Sequence, residues 1–215
     1  MKRRALIALM LLAVLLLAGC GSDRNPYEDI EQDPIATITM ADGSTMVFEL
    51  YPKIAPNTVA NFVKLANGGK YDGLQVFRVA SNVLIQSGDP NNDGTGGMDY
   101  YIKGEFDDNG FRNSISHMRG TISMARKSNY NTASSQFFIM EGSYPEYDGK
   151  YAAFGRIVDD ESLAALDAIG SRPVDGNYRP LERIYIKSIR VETFGVEYEP
   201  KTLDKDSVDK QKDKK

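Results

Sequence analysis

Apolar and polar positions alternate along Ile35–Met40 and again along Thr45–Leu50, the period of a half-buried strand. Between them Ala41-Asp42-Gly43-Ser44 carries an Asp-Gly pair, a strong hairpin signal. The period then changes. Pro56-Asn57-Thr58 opens a helix, Asn57 or Thr58 is the candidate cap, and Val59, Phe62, Val63 and Ala66 recur at helical spacing. Asn67-Gly68-Gly69 ends it. Short strand-like runs follow at Leu74–Ala80, Val83–Gln86, Gly120–Ala125, Gln136–Met140 and Ala152–Ile157, with loops dense in Gly, Asn, Asp and Ser between them. Asp159–Ile169 reads as a second helix, with Leu163, Leu166 and Ile169 on one face, and Ile184–Glu192 as a last strand. Many short strands and two helices, in an order that is not βαβ, predict a mainly β, closed antiparallel barrel; a sandwich with peripheral helices is the alternative.

The ends of the chain read differently. Lys2-Arg3-Arg4 precedes an unbroken apolar run of 14 residues, Ala5–Ala18, which has the length of a signal-peptide core and is short for a bilayer span. The run ends in Leu17-Ala18-Gly19-Cys20, which resembles the lipobox of bacterial lipoproteins, with Cys20 as the acylated residue. An ordinary signal peptide or an uncleaved anchor are the alternatives. Residues 1–19 are thus expected to be a lipoprotein signal peptide, 20–33 a tether, 34–196 the folded domain, and 197–215 a disordered tail, since residues 201–215 hold six Lys and four Asp. This places the domain outside the cytoplasm, lipid-anchored to the bacterial cell membrane. One Cys cannot form an intrachain disulfide, and two or more acyl chains would anchor firmly where one binds only marginally.

Composition narrows the rest. Hydrophobic content of 41% and charged content of 26% are ordinary for a globular domain. The net charge of −4 gives no electrostatic reason to expect nucleic-acid binding. A lone histidine, His117, forms neither a metal site nor a catalytic triad with its sequence neighbours and reads as structural.

The chemistry concentrates in a few strands. Arg78 stands in the apolar run Val76-Phe77-Arg78-Val79, Gln86 ends Leu84-Ile85-Gln86, and Gln136 opens Gln136-Phe137-Phe138-Ile139. Strand alternation puts Leu84 with Gln86, and Gln136 with Phe138 and Met140. If Phe137 and Ile139 face the core, then Gln136 and Phe138 form an outer patch. A fixed cation and two amides beside an aromatic ring suit a pocket that grips a peptide group next to something apolar.

Six segments in order, Phe77-Arg78, Gln86-Ser87-Gly88-Asp89, Gly94-Thr95-Gly96-Gly97, Gly120-Thr121-Ile122-Ser123-Met124-Ala125, Ser135-Gln136-Phe137-Phe138-Ile139 and Asp148-Gly149-Lys150 with Phe154-Gly155, resemble the cyclophilins, peptidyl-prolyl cis-trans isomerases. The resemblance runs from about Ile35 to Val191. It implies an eight-stranded antiparallel barrel capped by two α-helices, no cofactor and no metal, proline-containing polypeptide substrates and a monomer. It implies catalytic roles for Arg78 and Gln86. It implies a proline pocket lined by Leu84 and Phe138, and substrate contacts from Ala125, Arg126 and Gln136.

The match departs around that pocket. Val83 stands where the family usually has Phe, Glu146 or Pro145 where many members have Trp, Tyr147 where they have Leu, and Tyr151 where many have His. Val83, Tyr147 and Tyr151 are therefore expected to line an altered rim that binds cyclosporin weakly. The two tyrosines still offer a ring and a hydroxyl. A non-catalytic proline-peptide-binding or chaperone module is the alternative that this rim leaves open.

Overall fold

The computed structural model describes residues 25–211. The predicted signal peptide and Cys20 lie outside them. No helix among the described residues is long and apolar enough to cross a membrane.

Eight strands form one antiparallel sheet: β1 (Ile35–Met40), β2 (Thr45–Leu50), β3 (Arg78–Ala80), β4 (Leu84–Ser87), β6 (Thr121–Met124), β7 (Phe137–Met140), β8 (Ala153–Ile157) and β9 (Ile186–Glu192). Their order is β3-β4-β7-β6-β8-β2-β1-β9. β5 (Tyr100–Tyr101) pairs with β10 (Leu203–Asp204) in a small separate sheet. Helix α1 spans Pro56–Asn67, α2 spans Asp160–Gly170 and α3 spans Lys205–Lys210.

The barrel is not closed, contrary to the expectation. β3 and β9 are the two ends of the sheet. They meet only through the isolated bridge Gln75–Tyr185, flanked by Val76 N–H donating to Ile184 O (2.9 Å) and Ile186 N–H donating to Leu74 O (2.8 Å). The physical reason lies in β3. It is three residues long, and its Val79 N–H donates to Tyr178 O of the α2–β9 loop (2.8 Å), not to β9. The result is an eight-stranded half-barrel.

Strand periodicity decides what the half-barrel buries. In β1 and β2 every second residue is buried: Ala36, Ile38 and Met40, then Met46, Phe48 and Leu50. These join α1 through Phe62, whose ring lies 5.1 Å from Phe154, 5.3 Å from Tyr71 and 5.6 Å from Phe137. Phe137 and Ile139 of β7 belong to this main core, whereas Phe138 and Met140 face the other way, into a second cluster. The alternation read from the sequence is observed.

The start of α1 is capped from a distance. Its N-cap residue is Ala55, and no side chain of its own caps it. Glu105 does so instead. Its carboxylate accepts from Asn57 N–H (3.0 Å), Thr58 N–H (2.8 Å) and Thr58 Oγ1 (2.7 Å). Burial raises the Glu105 pKa, and these three hydrogen bonds pull against that rise. Glu105→Ala strands buried donors at a helix N-terminus and is expected to cost about 2 kcal/mol in urea unfolding.

The C-terminal segment also departs from its composition. Residues 197–211, read as part of a disordered tail, lie on the domain and include β10 and α3. Tyr198 is buried and stacks on Tyr27 at 4.6 Å, and burial pushes its hydroxyl up to about 12. Asn57 and Lys201 exchange hydrogen bonds (3.0 and 2.6 Å), and Val208 is buried. Two apolar anchors hold a segment whose charge alone suggests solvation. The tether reading meets the same chemistry at Tyr27, which is 7% exposed.

Candidate active site

The site is a row of residues paired across four strands. Arg78 of β3 is opposite Gln86 of β4, Gln86 is opposite Phe138 of β7, and Phe138 is opposite Ser123 of β6. A second row, Ala80–Leu84–Met140, lies two residues along and on the same face. These pairings bring together side chains that are up to 60 residues apart in sequence, on a face that turns away from the main core.

Polar links run along one side of the row. Arg78 Nη1 donates to Gln86 Oε1 (3.2 Å), Gln86 Nε2 donates to Gln136 Oε1 (2.9 Å), and Gln136 Nε2 donates to Gly94 O (3.1 Å) and Gly96 O (2.9 Å). The amide orientations follow from this network. The chain of bonds fixes Arg78 from one direction and leaves it half-buried. Among the described residues no carboxylate pairs with it within 4 Å. A permanently charged guanidinium, aimed by amides and not neutralised by an acid, keeps its donor capacity for a ligand.

The glycine loop that receives Gln136 is organised by Asp89, which is fully buried. Asp89 accepts from the backbone N–H groups of Asn91, Asp93 and Gly94. At Gly96 a Cβ would lie 2.0 Å from Asp89 Oδ1, so only glycine fits there.

The apolar half is the second cluster. Ala80, Leu84, Phe138 and Met140 are buried, with Val83, Ala125, Tyr144, Tyr147 and Tyr151 packed against them. The predicted pocket residues Val83, Leu84, Phe138, Tyr147 and Tyr151 are thus assembled in one place. Tyr151 meets the Phe138 ring edge-on at 5.5 Å, and Tyr147 lies 5.9 Å away. Phe138, read from sequence as an outer patch, is only 3% exposed because these rings cover it. Burial raises the Tyr147 hydroxyl pKa, opposed by the Arg78 charge nearby. Tyr144 was not singled out from the sequence. It is the N-cap residue of the 3₁₀ turn Pro145–Tyr147. Glu146 is exposed.

Arg126 does more than the resemblance implies. Its guanidinium donates to Lys150 O (3.0 and 2.8 Å) and Lys127 O (3.0 Å) and lies 4.8 Å from the ring centres of both Tyr151 and Tyr130. It clamps Tyr151 into the rim. Ala125 and Arg126 also border a cavity of about 130 Å³, shared with Gln86, Gln136, Gly94–Gly97 and Tyr101. The cavity adjoins the amide end of the row. Its lining of backbone, amides and cations suits polar peptide groups.

His117 is a buttress. It is 1% exposed, with Nδ1 2.9 Å from Asp148 Oδ1 and Nε2 3.0 Å from Ser123 Oγ, and its ring stacks on Phe138 at 5.9 Å. This is the neutral tautomer that donates to Asp148 and accepts from the Ser123 hydroxyl, as the network assigns it. A Ser-His-Asp alignment suggests a nucleophile. Ser123 is fully buried, so no substrate carbonyl reaches it.

Burial lowers the His117 pKa, against the pull of Asp148. The linkage has one sign. Below about pH 6.5 the unfolded chain takes up this proton before the folded one does, so stability present above that pH falls on acidification. Urea midpoints between pH 7 and 5.5 are expected to decline for the wild type. The His117→Gln variant, less stable at pH 7, should lose that part of the slope. Glu105, whose pKa burial raises, acts in the opposite direction at lower pH, so the difference between the two proteins isolates His117.

The half-barrel sets a cation, two amides and a ring-lined hollow side by side on one face, an arrangement suited to gripping a peptide group next to an apolar side chain. The family is settled by comparison with known proteins. The family model "Cyclophilin type peptidyl-prolyl cis-trans isomerase/CLD" matches residues 35–191. The chain belongs to that family and is a peptidyl-prolyl cis-trans isomerase by class.

Peptidyl-prolyl cis-trans isomerase B of Bacillus subtilis is 44% identical over 125 residues, covering 58% of this chain and 84% of that protein. A putative peptidyl-prolyl cis-trans isomerase of Staphylococcus aureus is 34% identical, covering 77% of this chain and 95% of that protein. Peptidyl-prolyl cis-trans isomerase-like 2 of Gibberella zeae is 41% identical over 145 residues, but the chain spans only 24% of its length. A crystal structure of a Cryptosporidium parvum cyclophilin-type isomerase, determined in the presence of the dipeptide Ala-Pro, superposes with a TM-score of 0.65 at 31% identity, covering 74% of this chain and 99% of that one.

Proposed function

We propose that this chain rotates X-Pro peptide bonds in polypeptides that fold outside the cytoplasm, with Arg78 as the transition-state donor. The observation that carries this is the bonded row Arg78–Gln86–Gln136 beside the Phe138 cluster. Rotation breaks amide resonance, against a barrier of about 18–20 kcal/mol. In the twisted state the proline nitrogen regains a lone pair. An N–H donor aimed at that nitrogen, or at the swinging carbonyl, binds the twisted form better than either planar isomer. Gln86 orients Arg78 and meets the carbonyl. Leu84, Val83, Phe138, Tyr147 and Tyr151 hold the proline ring. Ala125, Arg126 and Gln136 hold the extended peptide beside it.

Lipid attachment at Cys20 is part of this reading. It is supported by Lys2-Arg3-Arg4, the apolar run Ala5–Ala18 and the small residues before Cys20. Cys20→Ser is expected to move the protein from the membrane fraction to the soluble fraction; unchanged membrane retention would refute lipid anchoring.

The proposed activity is tested by refolding. A substrate protein whose slow phase is limited by proline isomerisation should refold faster with sub-stoichiometric amounts of this chain. An unaltered slow phase would count against it.

A further inference from the structure

None of the sequence motifs above includes Tyr178, yet the structure sets it beside Arg78. The α2–β9 loop folds back on itself at the isolated bridge Val174–Pro180. Within that turn Asp175 N–H donates to Arg179 O (2.9 Å), Tyr178 N–H donates to Asp175 O (3.1 Å), and Asp175 Oδ1 accepts from the N–H groups of Asn177 (2.8 Å) and Arg179 (2.9 Å). Tyr178 is held at φ 62°, in the left-handed region. A bulky side chain is an outlier there, and such strain collects at functional sites.

Two contacts give the strain a direction. Tyr178 O accepts from Val79 N–H, one residue past Arg78, on the edge of β3 that faces away from β4. The ring then lies against the guanidinium, with Arg78 Cζ 5.8 Å from its centre. Arg78 is therefore gripped from two sides, by Gln86 across the sheet and by Tyr178 from the free edge. The ring is nonetheless 53% exposed, a large apolar surface left open next to the catalytic candidate.

We propose that Tyr178 is a positioning and specificity residue of the isomerase site. One face of its ring holds the Arg78 guanidinium in plane. The open face receives an apolar or aromatic side chain of the peptide, on the flank of the X-Pro bond that lies away from Gln136. The proposal rests on the isomerase reading above. A merely packed surface tyrosine would affect all peptides alike; a subsite discriminates among them.

The test compares wild type, Tyr178→Phe and Tyr178→Gly by NMR exchange on the peptides Ala-Ala-Pro-Ala, Phe-Ala-Pro-Ala and Ala-Ala-Pro-Phe. Glycine suits the φ at this position, so Tyr178→Gly is expected to fold; Tyr178→Asn, which also tolerates it, replaces it if it does not. Tyr178→Phe should stay within about twofold of wild type on every peptide, because it keeps the ring. Tyr178→Gly should lose about fivefold in kcat/KM on one of the two Phe peptides, and clearly less on the all-Ala peptide. An unchanged Phe-to-Ala preference in Tyr178→Gly, an equal change on both Phe peptides, or a Tyr178→Phe variant as impaired as Tyr178→Gly would overturn the Tyr178 role while leaving the isomerase intact. Wild type at the uncatalysed rate would overturn the isomerase reading, and this proposal with it.

Discussion

Arg78→Ala is expected to lower kcat/KM for X-Pro exchange by about 100- to 1,000-fold while leaving the fold in place. The size follows from the job. Removing one aimed donor to developing charge costs about 2.7–4 kcal/mol in a preorganised site. Here the donor is preorganised by Gln86 at 3.2 Å, itself held by Gln136 at 2.9 Å. The fold survives because Arg78 is half-buried and lacks a carboxylate partner among the described residues, so its removal strands no charge. Arg78→Lys should recover little, since an ammonium lacks the planar fork that the amide and the substrate share. The measurement is the exchange rate of an Ala-Pro peptide by NMR, beside a thermal melt of each variant. A variant that kept near wild-type exchange would move the chemistry elsewhere.

Phe62→Ala is expected to cost about 3–5 kcal/mol in stability, the largest loss from a single core truncation here. Phe62 is fully buried on α1 and touches Tyr71, Phe137 and Phe154, so it ties the helix to β7 and β8. Close neighbours on three sides leave the site little room to collapse, which is what makes a cavity expensive. The consequence reaches the site through β7. Phe137 faces Phe62 while Phe138 faces the second apolar cluster, so loosening one side of that strand loosens the other. Phe62→Leu keeps most of the volume and should cost well under half as much. Urea unfolding of the two variants checks both numbers; equal midpoints would mean that the core repacks.

Local periodicity carried far into this fold. The two-residue period of β7 separated Phe137 from Phe138, and the Asp-Gly pair marked the β1–β2 hairpin, where Gly43 takes φ 92°. The side chains of the site were legible because a charged or amide group in an apolar strand needs a reason. What the sequence could not supply was register. Arg78 and Gln86 meet within the β3–β4 hairpin, but nothing local pairs Gln86 with Phe138; that step of the row is set by long-range strand pairing. The distant cap on α1 was hidden for the same reason, since Glu105 lies 48 residues from Asn57. The closed barrel failed on one short strand, whose edge the Tyr178 loop occupies. The C-terminal segment was misread because composition weighs many Lys and Asp and overlooks two anchors, Tyr198 and Val208.

The rim shows how substitutions can keep a shape. The positions that depart from the family pattern, Val83, Tyr147 and Tyr151, still close around Phe138, with Tyr144 added and Arg126 bracing Tyr151. The pocket wall is built from the rings of Tyr144, Tyr147 and Tyr151.

The most direct test is exchange spectroscopy on a short Ala-Pro peptide with a catalytic amount of the wild-type chain. Isomerase activity predicts cis–trans exchange far faster than the uncatalysed tens to hundreds of seconds. Exchange that stayed at the uncatalysed rate, while peptide shifts showed binding at Phe138, would contradict it and leave a proline-peptide-binding module in its place.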